Sequence, residues 1–182
     1  FGTDGVHHCR TLFDNSAPLL KPGGVMILHT IGTSGVPWAT SAFVRIFIFP
    51  RGYIPALSEV MPAIEKSGLV VTDIEMLRLH YADTLKHWGQ RFAANRDKAK
   101  AIYDERFCRM WEFYLAASEA AFRWQDLVIF QFQIAKKNDT LPMTRDYMAK
   151  CEKALEMRDL GRREAAPVEK PVKPARRRKG AE

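Results

Sequence analysis

The fold class of this chain is decided by the stretch KPGGVMILHTIG, at residues 21–32. Its Pro-Gly-Gly segment ends any preceding helix, because proline lacks an N–H and its ring clashes with the turn before it. The apolar run at 25–28 is short, continuous and bounded by turn residues. Such a run predicts a central strand that is covered on both faces, as in a parallel sheet.

The segments around this strand alternate between helix and strand. Apolar residues at helical spacing predict a helix at 10–20 and a second at 57–66, with Ser58 as its N-cap and Gly68 as its C-cap glycine. A strand pattern follows at 69–79. The order helix, strand, helix, strand indicates an α/β fold.

The later part of the chain has longer helical patterns. We expect helices at 84–92 and 96–124, followed by a closing strand at 127–134. From about Arg158 the composition is dominated by Ala, Pro, Glu, Lys and Arg, which cannot bury enough surface to offset chain entropy. We therefore divide the chain into a domain at 1–148 and, at 149–182, a helix end with a disordered basic tail.

The net charge of +7 belongs mostly to that tail. Residues 158–182 carry nine Lys and Arg against four Asp and Glu, a net of +5, which leaves +2 for the rest. The basic isoelectric point therefore says little about the folded part. No apolar run approaches the ~20 residues that span a bilayer. Three widely spaced cysteines (Cys9, Cys108 and Cys151) form no disulfide framework and suit a reducing cytoplasm.

Four blocks of sequence, taken in order, resemble the cyclopropane-fatty-acyl-phospholipid synthase and mycolic acid cyclopropane synthase family. They are LLKPGGVMILHTIG at 19–32, IFPRGYIPALSEVMPAIEKSGL at 48–69, RLHYADTLKHWGQRF at 78–92 and YDERFCRMWEFYLAASEAAFR at 103–123. The resemblance implies the C-terminal portion of a class I methyltransferase (Rossmann-like) sheet, with inserted lipid-covering helices and an antiparallel edge strand. The family's glycine-rich cofactor turn has no counterpart, because Gly23-Gly24 precedes a strand instead of following one. We therefore expect the later part of a longer protein, inactive alone.

The resemblance also implies a reaction. S-adenosylmethionine would donate a methyl group to the cis double bond of a phospholipid acyl chain, and loss of a proton would close a cyclopropane ring. A bound bicarbonate is the implied base, and His29, Ile31 and Tyr81 match three of the positions that hold it. Imidazole and phenol are suitable donors to such an anion. The family's glutamate falls on Gly2, with Asp4 two positions later.

Aromatic residues of the long helical pattern have two interpretations. A Tyr, Phe and Trp face at helical spacing is usually core. The resemblance makes these residues part of a lipid tunnel, with Tyr103, Trp111, Tyr114 and Phe122 as candidate substrate-binding residues. A cysteine that some relatives carry falls on Ser118. We interpret Cys108 as a core residue.

Other sequence features leave alternatives open. His7-His8-Cys9 does not have the spacing of a zinc site, so we expect no metal. The basic cluster at 176–179 suits a solvated tail or an anionic membrane surface better than nucleic acid, which we do not expect as a partner. We expect a cytoplasmic protein that is peripheral at the inner membrane surface, and a homo-oligomer is one possible assembly. The alternatives to a cyclopropane synthase are a lipid C-methyltransferase without ring closure and a non-catalytic remnant or binding module whose basic tail contacts a membrane or nucleic acid.

Overall fold

The computed structural model describes residues 6–165, with side chains at residues 9–159. Gly2, Asp4 and the basic cluster at 176–179 lie outside the described residues. The elements follow in the order α1 (Val6–Leu19), β1 (Val25–Thr33), a π-helical segment (Val44–Ile48), α2 (Leu57–Lys66), β2 (Val70–Leu77), α3 (His80–Ala94), α4 (Arg96–Ile102), α5 (Glu105–Trp124), β3 (Leu127–Ala135) and α6 (Asp146–Ala165). The described elements confirm a mixed α/β architecture.

The described strands form one sheet in the order β1-β3-β2, and β3 is antiparallel to both neighbours. Within the described sheet β1 pairs with β3 alone, and its Val25 and Ile27 are 37% and 62% exposed. The expected edge position of the antiparallel strand is wrong. β3 lies between two strands and not at the edge. An apolar run does not encode its partners, because strand pairing depends on cross-strand packing.

The strand β3 separates two apolar layers, since its side chains alternate between the two faces of the sheet. Phe130 and Phe132 are fully buried in one layer with residues of α1 and α2. Leu127 and Ile129 are buried in the other layer with residues of α3 and α5. Each fully buried side chain of this size contributes about 1.5–3 kcal/mol to folding. The second layer is the one that carries the site described below.

The helical pattern at 96–124 is two helices and not one. α4 ends at Ile102, and Asp104 caps α5 by accepting a hydrogen bond from the Phe107 N–H at 2.7 Å. A short acidic side chain at an N-cap competes with helix continuation, because it satisfies an otherwise unpaired N–H. Arg96 joins the two helices through ion pairs to Glu105 and Glu112.

The cap of α2 also differs from the sequence expectation. Ala56 is the N-cap and not Ser58, and the Glu59 carboxylate accepts a hydrogen bond from the Ala56 N–H at 2.8 Å. This is the glutamate part of a capping box. Gly68 follows the helix with a φ of +73°, as expected for a glycine that ends a helix.

The chain folds into two compact units, of which the first ends at Leu141 and the second begins at Pro142. The second unit contains α6, which extends to Ala165 and so passes Arg158, where disorder was expected. The part of α6 beyond Arg158 contains strong helix formers, such as Arg162, Arg163 and Ala165. No helix within residues 6–165 is long and apolar enough to cross a membrane.

Candidate active site

A cavity of about 790 Å³ opens in the first unit, between the sheet, α3, α5 and the connection from β1 to α2. Its volume is within the range of sites that hold small organic molecules. The wall is mainly aliphatic and aromatic, and its polar side chains include His29, Tyr81, Ser41 and Ser118. The cavity lies along the second half of β1 and the start of β3. The carboxyl end of a strand is where α/β sheets place their ligands.

The structure brings together the three residues that the family resemblance singled out. His29 and Ile31 are on β1 and Tyr81 is in the first turn of α3, and all three line the cavity. The sequence placed Tyr81 at the end of a strand, whereas β2 already ends at Leu77. The three residues therefore share one cavity.

Gln131 is a neighbour of the site that sequence reasoning did not find. It lies directly opposite His29 in the β1–β3 ladder, and its Nε2 is 3.1 Å from His29 Nδ1. Because an amide nitrogen can only donate, Nδ1 accepts this hydrogen bond, which in the neutral form of an imidazole leaves the proton on Nε2. The Nε2–H group of His29 can therefore donate to a partner other than Gln131. Only the strand register could have revealed this pair.

Tyr81 and Tyr114 form the phenolic part of the wall. Burial raises the pKa of both hydroxyls, and for Tyr114 the proximity of Tyr81 raises it further while a hydrogen bond with Ser118 opposes the shift. Tyr81 also packs edge-on against Trp88, and its ring is tilted against that of Phe122 at 5.1 Å between centroids. Both hydroxyls are therefore protonated at neutral pH and available as donors.

The four aromatic residues proposed for substrate binding do not all reach the cavity. Tyr114 and Phe122 line it. Trp111 is absent from its wall and packs against Tyr114 at 5.1 Å. Tyr103, in the break between α4 and α5, is 64% exposed and is also absent from the wall. Cys108 is fully buried, which confirms it as a core residue.

The connection from β1 to α2 covers part of the cavity with rings. Phe43 packs edge-on against Phe113 of α5 at 4.8 Å, and Phe49 packs edge-on against Tyr114 at 6.1 Å. The connection then turns at 49–52, where the Gly52 N–H donates to the Phe49 carbonyl at 2.8 Å. Arg51 adopts a φ of +65° in this turn. Such a φ after proline is typical of a type II turn, which favours glycine at this position.

Tyr53 links the cavity wall to the start of α2. It lines the cavity, and its hydroxyl donates a 2.5 Å hydrogen bond to the Glu59 carboxylate. Burial, followed by this hydrogen bond, raises the pKa of Tyr53 to about 12. The same carboxylate caps α2, so one side chain fixes both the helix start and the ring in the wall.

Comparison with known proteins identifies the family. The family profile described as mycolic acid cyclopropane synthetase matches residues 1–132. The chain belongs to this family. The expected class I methyltransferase fold is also confirmed by a solved mycolic acid cyclopropane synthase, CmaA1 complexed with SAH and CTAB, which is 28% identical with a TM-score of 0.67. The match covers 74% of this chain and 52% of that one.

Curated relatives of this cyclopropane synthetase family member carry two kinds of name. The probable fatty acid methyltransferase of Pseudomonas putida is 35% identical over 78% of this chain and 37% of its own length. The cyclopropane-fatty-acyl-phospholipid synthase of Escherichia coli K12 is 34% identical over 62% of this chain and 29% of its own length. The chain thus spans about a third of these relatives.

The described residues of this family member do not form a cofactor site by themselves. A nucleoside-binding glycine turn lies between a strand and a helix N-terminus. Here Gly32 lies within β1, and β1 is followed by a loop. The cavity wall of this family member is mainly apolar.

Proposed function

We propose that this chain holds the acyl chain of a phospholipid in its cavity and presents a cis double bond for S-adenosylmethionine-dependent methyl transfer, with closure of a cyclopropane ring. The proposal rests on one observation. A cavity of about 790 Å³ combines an apolar wall with His29, Ile31 and Tyr81, the residues that match the family's site. Membership of the mycolic acid cyclopropane synthetase family supports the same reaction class.

The apolar wall would exclude water and align the acyl chain. Aromatic faces of Tyr81, Tyr114 and Phe122 suit positive charge that develops on the substrate, at about 0.5–2 kcal/mol for each contact. Because Gln131 occupies Nδ1, His29 can donate from Nε2 to a small anion, and Tyr81 offers a second donor. Bicarbonate, when bound there, would accept the proton that leaves as the ring closes.

The methyl donor would be held mainly by residues outside this chain, since the described residues lack a nucleoside-binding turn. S-adenosylmethionine supplies the methyl group in this proposal, and this chain supplies the acceptor site. We therefore expect no measurable binding of S-adenosylmethionine in a calorimetric titration of the isolated chain. Micromolar affinity would contradict this division of roles.

Methyl transfer without ring closure is the second candidate. The relative at 35% identity is named a probable fatty acid methyltransferase, whereas the one at 34% is named a cyclopropane synthase. Both reactions need an apolar acceptor cavity, and in both the cation left by methyl transfer loses one proton. Loss from the new methyl group with formation of a C–C bond closes the ring, whereas loss that forms a new C=C bond leaves a branched alkene. Proton NMR of the lipid product separates them, because cyclopropane ring protons resonate apart from alkene protons.

The acceptor role can be tested without turnover. Ala117 of α5 lines the cavity, whereas the adjacent Ala116 does not. We expect Ala117→Phe to weaken binding of a monomeric fluorescent cis-monounsaturated fatty acid by at least about tenfold, because the ring would occupy part of the space that the acyl chain needs. Ala116→Phe is the matched control and should bind as the unaltered chain does. Equal binding by both variants would contradict the proposal.

A further inference from the structure

We propose that the π-helical segment and the adjoining face of α5 form a surface that docks on an anionic lipid bilayer at the mouth of the cavity. We call this surface the docking face and define it by Ile46, Phe47, Phe49 and Phe113, with Arg45, Arg106 and Arg109 beside them. The inference rests on the proposed lipid function and deepens it by naming the residues that meet the membrane.

The first observation is a concentration of exposed apolar side chains. Ile46 is 66% exposed, Phe47 51%, Phe49 53% and Phe113 57%. Phe43 connects two of them, because its ring is 5.5 Å from that of Phe47 and 4.8 Å from that of Phe113. Ile46 and Phe49 belong to the same short segment as Phe47. Single exposed apolar residues are ordinary on a soluble protein, but a connected group of large ones marks an interaction surface.

The second observation is the charge around this group. Between Lys21 and Glu59 the only Asp, Glu, Lys or Arg residues are Arg45 and Arg51, and both are basic. An apolar segment with cations and without carboxylates matches the chemistry of an anionic bilayer surface.

The adjoining face of α5 adds to this charge. Arg109 and Arg106 precede Phe113 by four and seven residues and therefore lie on the same side of the helix. Within residues 9–159, neither arginine forms an ion pair, and the same is true of Arg45. By contrast, Arg96 of α4 is paired with carboxylates.

The third observation is continuity with the cavity. Phe43, Val44 and Phe49 belong to the exposed connection and also line the cavity, as does Phe113. An acyl chain can therefore pass from a bilayer into the cavity along apolar surface, without crossing water. The surface of a soluble acidic protein would pair with the arginines but would not bury the large apolar side chains. These points favour a bilayer as the occupant.

Flotation of the 182-residue chain with lipid vesicles tests the docking face. We expect stronger binding to phosphatidylglycerol vesicles than to phosphatidylcholine vesicles, and weaker binding as salt screens the charges. The double variant Ile46→Asp/Phe47→Asp should bind phosphatidylglycerol vesicles at least about tenfold more weakly, because it removes two inserted side chains and adds like charges. Neither residue lines the cavity.

Matched controls separate the docking face from general surface properties. Leu19→Asp alters an apolar side chain that is 83% exposed at the end of α1 and should leave vesicle binding unchanged. Arg45→Gln should weaken binding to phosphatidylglycerol vesicles about fivefold, since one cation near an anionic surface contributes about that factor to the affinity. Lys137→Gln, an exposed cation just after β3, should have no effect. Equal losses in variants and controls would overturn the proposal.

A monomeric fluorescent fatty acid distinguishes failure of the docking face from failure of the proposed function. We expect the double variant to bind this probe as well as the unaltered chain does. An unaltered chain that binds the probe but not the vesicles would overturn the docking face alone. A double variant that loses the probe as well would show that the segment is cavity wall, which also overturns docking. Vesicle binding without probe binding would support docking and contradict the proposed function.

Discussion

Gln131 and His29 face each other across the β1–β3 ladder, with Gln131 Nε2 at 3.1 Å from His29 Nδ1. This pair orients the imidazole and favours the tautomer in which Nε2 carries the proton. The hydrogen bond is worth about 0.5–1.5 kcal/mol, which is enough to bias a tautomeric equilibrium. Gln131 is therefore a positioning residue that acts through His29.

Replacement of Gln131 should remove the preference of His29 for the tautomer with its proton on Nε2. In Gln131→Leu we expect the Nε2–H tautomer of His29 to lose its dominance, and bicarbonate binding to weaken by about two- to tenfold. Nitrogen NMR of the imidazole reports the tautomer directly. Gln133→Leu is the control, because Gln133 lies two residues along β3 and contacts Thr72 instead. An unchanged His29 spectrum in Gln131→Leu would contradict the role assigned to the pair.

Gly32 should tolerate no side chain. A Cβ there would lie 2.2 Å from Phe130 Cε2 and 2.8 Å from the Pro55 carbonyl oxygen, and Phe130 is fully buried. We expect Gly32→Ala to lower the free energy of unfolding by at least about 2 kcal/mol, as overpacked cores do. Urea denaturation measures this. Gly89→Ala, where a Cβ meets nothing within 4 Å, should be neutral or stabilising by up to about 1 kcal/mol.

Arg51 is a strained residue in a turn that favours glycine. Its φ of +65° costs an L-residue about 1–2 kcal/mol, whereas glycine adopts it freely. Arg51→Gly should therefore be about 1 kcal/mol more stable to thermal unfolding than Arg51→Ala, because both variants lose the same side chain and only glycine relieves the strain. Equal stability of the two variants would mean that the turn carries no strain.

The Tyr53 hydroxyl should lose its proton at a higher pH than an ordinary tyrosine, in part because of Glu59. Burial and the hydrogen bond to Glu59 raise the pKa of Tyr53 to about 12, above its ordinary value of 10. The folded protein therefore retains a proton that the unfolded chain loses, so this group's stabilising contribution declines as the pH rises from about 10 to about 12. In Glu59→Gln the pKa of Tyr53 should fall toward its ordinary value of 10.

The absorbance of tyrosinate follows this titration, and a Tyr53→Phe variant identifies the contribution of Tyr53 by difference. If Glu59→Gln left the Tyr53 titration unchanged, burial alone would account for the raised pKa.

Local patterns in the sequence predicted much of the fold. The break at Pro22-Gly23-Gly24, the bounds of α2 and the strand expected at 127–134, which the structure extends by one residue, follow from turn residues and apolar periodicity. The order β1-β3-β2 does not, because pairing is non-local. Apolar periodicity also did not predict the break before α5. Asp104 caps α5 only because of the local backbone conformation, and periodicity does not report that conformation.

The candidate site likewise contains some residues that the sequence predicted and others that it did not. His29, Ile31 and Tyr81 were predicted through the family resemblance, and the structure places them in one cavity. Gln131 depends on strand register, and the rings of Phe43 and Phe49 depend on the path of an irregular connection. These features arise from tertiary contacts, which single-sequence patterns do not specify.

The most direct test of the acceptor role is NMR of isoleucine methyl groups with an acyl chain that carries a nitroxide spin label. Ile31, Ile54 and Ile129 line the cavity, whereas Ile64 and Ile134 are buried in the opposite layer and Ile102 is exposed on α4. Because a nitroxide broadens nearby resonances, we expect the label to broaden the methyl signals of the first three and to leave the others sharp. Broadening of Ile64 or Ile102 without Ile31, or no selective broadening, would contradict the assignment of this cavity to the lipid acyl chain.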